Sequence, residues 1–178
     1  VDITPRQFPV LVNGGMTSRS ADKAVAPLYA RSIVLDNGTE RVAIVVVDSC
    51  MIGRVILDDA RQLAAQRTRI RPDRMLISST HTHSAPAAMG CLGSRVDPDY
   101  AASLPPKIAA AIIGAAQKLA PARIGWTAFD DWDHTFNRRW IRRPDKLLND
   151  PFGFPNVRAN MHPGHQSPDA IGPSGPVD

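Results

Sequence analysis

His81 and His83 stand one residue apart in "RMLISSTHTHSAP" (74–86), in a chain that has only five histidines. In an extended segment alternate side chains face the same way, so the two imidazoles can approach one centre together. Neutral imidazole is a common metal ligand, and its second nitrogen is usually held by a carboxylate or a carbonyl. Both rings could ligate, or one could bind the metal while the other moves protons or hydrogen-bonds substrate. A catalytic zinc takes three protein ligands and keeps a fourth position for water. His134, His162, His165, Asp48 and Cys91 are the candidates for the remaining donors. Asp48 is better placed as an outer carboxylate that orients a ligating imidazole. The hydroxyls of Thr80, Thr82 and Ser84 are poor zinc ligands but can orient groups around one. Ser79 and Ser84 flank the histidines, yet no G-x-S-x-G accompanies them. No phosphate-cradling glycine loop is present.

The histidines follow the run Met75-Leu76-Ile77, which reads as a buried strand, and Ser78-Ser79-Thr80 leads the chain out of the core. Upstream, "LYARSIVLD" (28–36) and "RVAIVVVDS" (41–49) read as strands around the hairpin signal Asn37-Gly38. The second strand is apolar enough to be buried on both faces, and Asp48 lies at its end. Residues 51–67 carry Ile52, Val55, Ile56, Ala60, Leu63 and Ala64 on one helical stripe. Strand, helix and strand with short connections make a βαβ unit. Asp97-Pro98 starts a further helix. Pro105-Pro106 is expected to break it, leaving a main helix over about 106–119. "ARIGWTAF" (122–129) reads as a strand. From Pro144 to the end there are seven prolines and four glycines in 35 residues, without a strand or helix period. The expected fold class is α/β, a mixed sheet with flanking helices and a βαβ unit, followed by a long irregular Pro/Gly-rich C-terminal segment. The expected division is a core over 1–135 and an irregular segment over 136–178, lying over the site or forming a connection. Sites in such sheets lie beyond the carboxyl ends of the strands. Asp48 and the histidine pair would meet there if their strands are neighbours.

The chain has 178 residues with 43% hydrophobic content, enough for an ordinary core. No apolar run reaches membrane-spanning length. The opening "VDITPRQFPVLVNGG" lacks the features of a signal peptide. Cys50 and Cys91 are compatible with one disulfide but imply no disulfide framework. The net charge of +4 is concentrated in "NRRWIRRPDK" (137–146). With only Trp140 interleaved, this patch argues against nucleic-acid binding and for a solvated loop or contact with an anionic or polar substrate.

Several stretches, taken in order, resemble the N-terminal part of the neutral/alkaline non-lysosomal ceramidase family. They are "DITP" (2–5), "YARSIVLDNGTERVAIVVVDS" (29–49), "MLISSTHTHSAP" (75–86), "FNRRW" (136–140), "NDPFGFPNV" (149–157) and "GPSGPVD" (172–178). The resemblance implies one catalytic Zn2+ with His81 as a ligand, and His83 in the same site hydrogen-bonding substrate or intermediate. It implies that Arg138, preceded by Asn137, faces the substrate pocket, with Ser84 among the substrate-binding groups. The implied reaction is hydrolysis of a lipid-like N-acyl amide to a fatty acid and an amine, in a secreted or periplasmic setting. Peripheral contact with a membrane is compatible with such a substrate. The family's other zinc ligands are expected downstream of residue 178, so this chain alone is expected to bind zinc weakly and turn over little. Two other readings compete. One is a non-catalytic α/β module that binds lipid or a partner. The other is a metal-dependent esterase or phosphoesterase, which Asp48 as a direct ligand would favour.

Overall fold

The computed structural model describes all residues except Trp132, Phe136, His162, Gly164, His165, Gln166, Val177 and Asp178. Two of the candidate ligands, His162 and His165, thus lie outside the described residues. The chain divides into two compact units, 1–122 and 123–178, so that residues 123–135 go with the second unit and not with the core.

The first unit is α/β, as the sequence implies. A hairpin joins β3 (Ala30–Asp36) to β4 (Arg41–Val47), paired from Ala30↔Val47 to Asp36↔Arg41. Its four-residue loop is held by the Asn37 side chain, which accepts from the backbone N–H groups of Thr39 (3.0 Å) and Glu40 (2.8 Å). From β4 the chain crosses through α1 (Arg54–Thr68) to β5 (Met75–Ser79), which pairs parallel to β4 from Ala43↔Met75 to Val47↔Ser79. The parallel pairing brings the carboxyl ends of β4 and β5 side by side. Ahead of this sheet, β1 (Val10–Val12) and β2 (Arg19–Ala21) form a small antiparallel pair.

Alternation along the strands sets the core. Ala43, Val45 and Val47 of β4, with Met75 and Ile77 of β5, are buried together with residues of α1 and of α2 (Pro98–Gln117). The opposite alternation leaves Ile33 and Leu76 more than half exposed. Helix α1 buries Ala60, Ala64 and Thr68. Val55 and Leu63, which the helical stripe places in the core, are 72% and 39% exposed. The stripe is therefore rotated toward small residues, which lets α1 lie close to its neighbours.

Helix α2 corrects a second expectation: it runs unbroken through Pro105 and Pro106. Two prolines remove two backbone donors, a cost that would normally end a helix. Here Leu104, Ile108 and Ile112, fully buried, fix the helix to the core on both sides of the prolines, while Pro106 and Ala102 face solvent. Tertiary packing overrides the local preference. The Asp97 side chain caps α2 by accepting from Tyr100 N–H (3.1 Å), and its other oxygen accepts from Leu11 N–H of β1 (3.1 Å).

Tyr100 is buried, and its hydroxyl has no hydrogen-bond partner among the described residues. Burial first, then the charges of Asp48, Asp2 and Asp97, push its ionisation up. An unpaired buried hydroxyl costs about 1–3 kcal/mol, so Tyr100→Phe is expected to raise stability by about 1 kcal/mol, read from the urea midpoint at neutral pH. The folded chain also keeps a proton that the unfolded chain releases near pH ~10. Stability therefore falls as the pH climbs past that value, and Tyr100→Phe should flatten this slope.

The second unit is better ordered than its composition suggests. β6 (Arg139–Arg142) is the centre of an antiparallel sheet between β7 (Ala159–Met161) and β8 (Ala170–Pro173). The expected irregular segment thus contains three strands, each of only three or four residues, too short to display a period. Pro173 is tolerated because β8 is an edge strand. Arg142 is buried and satisfied: its guanidinium donates to Lys146 O (2.5 Å), Asn160 Oδ1 (3.2 Å) and Asp169 Oδ2 (3.2 Å). Residues 122–129 form no strand. Ile124, Trp126 and Phe129 there are 72%, 91% and 82% exposed, so the alternation finds no neighbouring strand to pack it. No helix among the described residues is long and apolar enough to cross a membrane.

Candidate metal centre

The parallel ends of β4 and β5 bring together a donor that the sequence reading passed over. Cys50 lies just past β4, and its Sγ comes within 3.8 Å of His81 Nδ1. His83 Nε2 lies 3.2 Å from His81 Nε2. Cys50, His81 and His83 each offer one ligand atom, and these lie within 4.8 Å of one another. The three residues can hold a metal ion. Around a tetrahedral ion with ordinary Zn–N and Zn–S bonds, donor atoms sit about 3.3–3.7 Å apart, so the three would draw together from separations of up to 4.8 Å to close on one.

The histidines converge by a different route from the one alternation suggests. His81 is not extended; its φ is +60°. Histidine is among the few residues enriched in this left-handed region, which is costly for most side chains. The turn sets the two rings edge to face, with centroids 4.8 Å apart and planes at 80°. It also brings His81 Nδ1 to 2.9 Å from the backbone carbonyl of Cys50. A carbonyl only accepts, so the neutral ring carries its proton on Nδ1, and Nε2 presents a lone pair. The orienting group for His81 is therefore this carbonyl and not Asp48. The Asp48 carboxylate is turned to β3, where it accepts from Tyr29 N–H (2.9 Å) and from the Arg31 guanidinium (2.8 Å).

The N-terminal hairpin supports His83. Residues 85–87 run against β1: Asn13 N–H donates to Ala85 O, and Ala87 N–H to Leu11 O. The buried Asn13 side chain donates to Met89 O (2.5 Å). Arg19 of β2 donates to the backbone carbonyl of His83. Gly14, at φ +100°, leaves the space that His83 occupies: a Cβ there would lie 2.4 Å from His83 Cγ. Gly14→Ala is expected to cost about 1–3 kcal/mol of stability through this clash and the backbone strain. By displacing His83 it should also weaken metal binding at least tenfold or so, the scale seen when groups that orient a ligand are lost. Urea unfolding and a competitive zinc titration check the two effects.

Cys50 and Cys91 are both free thiols, not a disulfide. Burial, with a smaller contribution from Cys91, pushes the Cys50 thiol up, which keeps it protonated and unreactive while no cation is near. No family model matches this chain, and no solved structure matches it. Of the other candidates, Cys91 is half-buried in the 91–94 turn, outside the donor cluster. His134 is exposed in the second unit, with Nδ1 3.0 Å from Asp131. In that unit Asn137 accepts from Arg139 N–H (2.9 Å) and donates to Pro176 O (3.1 Å), and Arg138 is exposed beside it. Ser84 is exposed next to His83.

Proposed function

We propose that this chain carries the metal centre of a zinc-dependent amide hydrolase of ceramidase type, acting on an N-acylsphingosine or a related N-acyl lipid. The observation that most directly supports this reading is the convergence of Cys50, His81 and His83 on one point. Two imidazoles and a thiolate suit zinc's preference for nitrogen and sulfur donors. Three protein donors leave one tetrahedral position open. A zinc ion held there supplies a Lewis acid and a water of lowered pKa. The Cys50 carbonyl fixes the tautomer of His81, so that its Nε2 is ready to bind. His83 either completes the donor set or, beside it, holds at Nε2 the proton that the departing amine takes up. Arg138 and Asn137 are assigned to substrate contact by the family resemblance alone. The esterase or phosphoesterase reading leaned on Asp48 as a ligand, and the bonds of Asp48 to Tyr29 and Arg31 count against it.

The test is to load the purified chain with zinc and follow amine release from an N-dodecanoyl arylamide. With Cys50 and His83 standing in for the donors that the resemblance places downstream, the expected result is about one zinc per chain and cleavage that disappears with chelator and in His81→Ala, in place of the weak binding and low turnover that the resemblance implies for this chain. His83→Ala then separates its two roles: zinc is lost if His83 ligates, and turnover alone is lost if it holds the proton. Failure to bind zinc, or zinc binding with cleavage of the matching ester and none of the amide, overturns the reading.

A further inference from the structure

A cavity of about 500 Å³ lies against the β1–β2 hairpin and is lined on one side by Thr82, Ser84 and Pro86. These residues interleave with His83, so the cavity wall and the metal centre share one short segment. The volume is in the range of pockets that enclose a small ligand. Its floor includes Val10 and Val12 of β1, each only 7% exposed, and the half-buried Leu28. At its margin Phe8 and Val25 are 37% and 93% exposed, apolar side chains left facing water.

Among the described residues the charged side chains in the lining are both cations, Arg19 and Lys23, and no carboxylate lines the cavity. Arg19 is engaged with the His83 carbonyl. Lys23 makes no hydrogen bond or ion pair among the described residues. An apolar hollow with a spare ammonium at its wall attracts a ligand with a hydrocarbon body and a negative head. A cationic amphiphile would meet two like charges, and a short polar anion would leave the floor bare.

The geometry points to this cavity as a binding site for a free alkyl carboxylate, with the chain over Val10 and Val12 and the carboxylate at Lys23. The binding stands on the cavity itself. Only the ligand's role, as the acid released from an N-acyl amide, rests on the function proposed above. In that role the cavity would retain the product next to the segment that carries His83.

The experiment is calorimetric titration of the metal-stripped full chain with dodecanoate below its micellar concentration, beside dodecyltrimethylammonium. One dodecanoate per chain is expected, bound at least about tenfold more tightly than the cation. Lys23→Glu, a change at an exposed residue, should reverse that preference. Ala24→Trp, which fills the cavity from its exposed wall, should abolish binding with the circular dichroism unchanged. His81→Ala should bind dodecanoate like the parent chain. Equal binding of the two amphiphiles, indifference to Lys23→Glu, or full binding by Ala24→Trp overturns the assignment. So does loss of dodecanoate binding in His81→Ala, which would put the carboxylate on the histidines. Zinc-dependent amide cleavage without dodecanoate binding sinks this inference alone. Dodecanoate binding without zinc uptake sinks the hydrolase reading alone.

Discussion

Cys50→Ser is expected to weaken zinc binding by more than about 100-fold, while Cys91→Ser leaves it unchanged. Loss of a group that merely orients a ligand costs roughly 10–100-fold in metal affinity, and Cys50 is placed to be a ligand itself. Serine keeps the shape but offers a hydroxyl, which is not among zinc's usual donors. Cys91 lies outside the cluster and serves as the control. His81→Ala should cost at least as much, since it removes a donor and the partner of the Cys50 carbonyl. Cobalt gives an independent readout: the parent chain should show the sulfur-to-metal absorption of a thiolate complex, and Cys50→Ser should lack it. Equal zinc affinity of the parent and Cys50→Ser would reduce the donor set to the two histidines.

The largest effect on stability is expected at Ile108. Its side chain is fully buried among Leu104, Ile112 and the β4 valines of the core. Ile108→Ala leaves a cavity as well as losing transfer energy, and such truncations cost about 2–5 kcal/mol. A loss of about 3 kcal/mol is expected, partly offset by alanine's better helix propensity. Val55→Ala is the informative comparison. Its position on the amphipathic stripe marks it as core, but it is 72% exposed, so its cost should stay within about 0.5 kcal/mol. Both helices lie in the first unit, so urea unfolding followed by helical circular dichroism reports that unit. A lower midpoint at unchanged slope identifies a change in stability rather than in compactness. Similar losses at Ile108 and Val55 would contradict the packing described here.

The contrast between these two residues shows what a one-dimensional pattern carries. The β3–β4 hairpin and the β4–α1–β5 crossover were legible because their strands are rich in Val and Ile and turn signals bound them. Which side of α1 faces inward depends on where its neighbours sit, and that information is spread over β5 and α2. The unbroken α2 was illegible for a related reason: Pro105 and Pro106 speak locally, while Leu104, Ile108 and Ile112 answer through distant partners. In the second unit, β6 pairs with residues some twenty and thirty positions downstream, through strands too short to show a period. At the metal centre, His81 and His83 were legible from their spacing and from the strand before them. Cys50 was not, because nothing near it in sequence marks it as a donor. The signal that could have found it is topological: a soft ligand just past one strand, beside histidines just past the strand's parallel neighbour.

The placement of Cys50 and His81 has a mechanical side. They bracket the whole α1 crossover, 31 residues apart in sequence. A cation gripped by both would act as a removable cross-link closing that loop. Cross-linking a loop of this length takes roughly 3–4 kcal/mol of chain entropy from the unfolded state. A chelator would then lower the stability of the first unit by returning freedom to the unfolded chain, without touching a single packed contact.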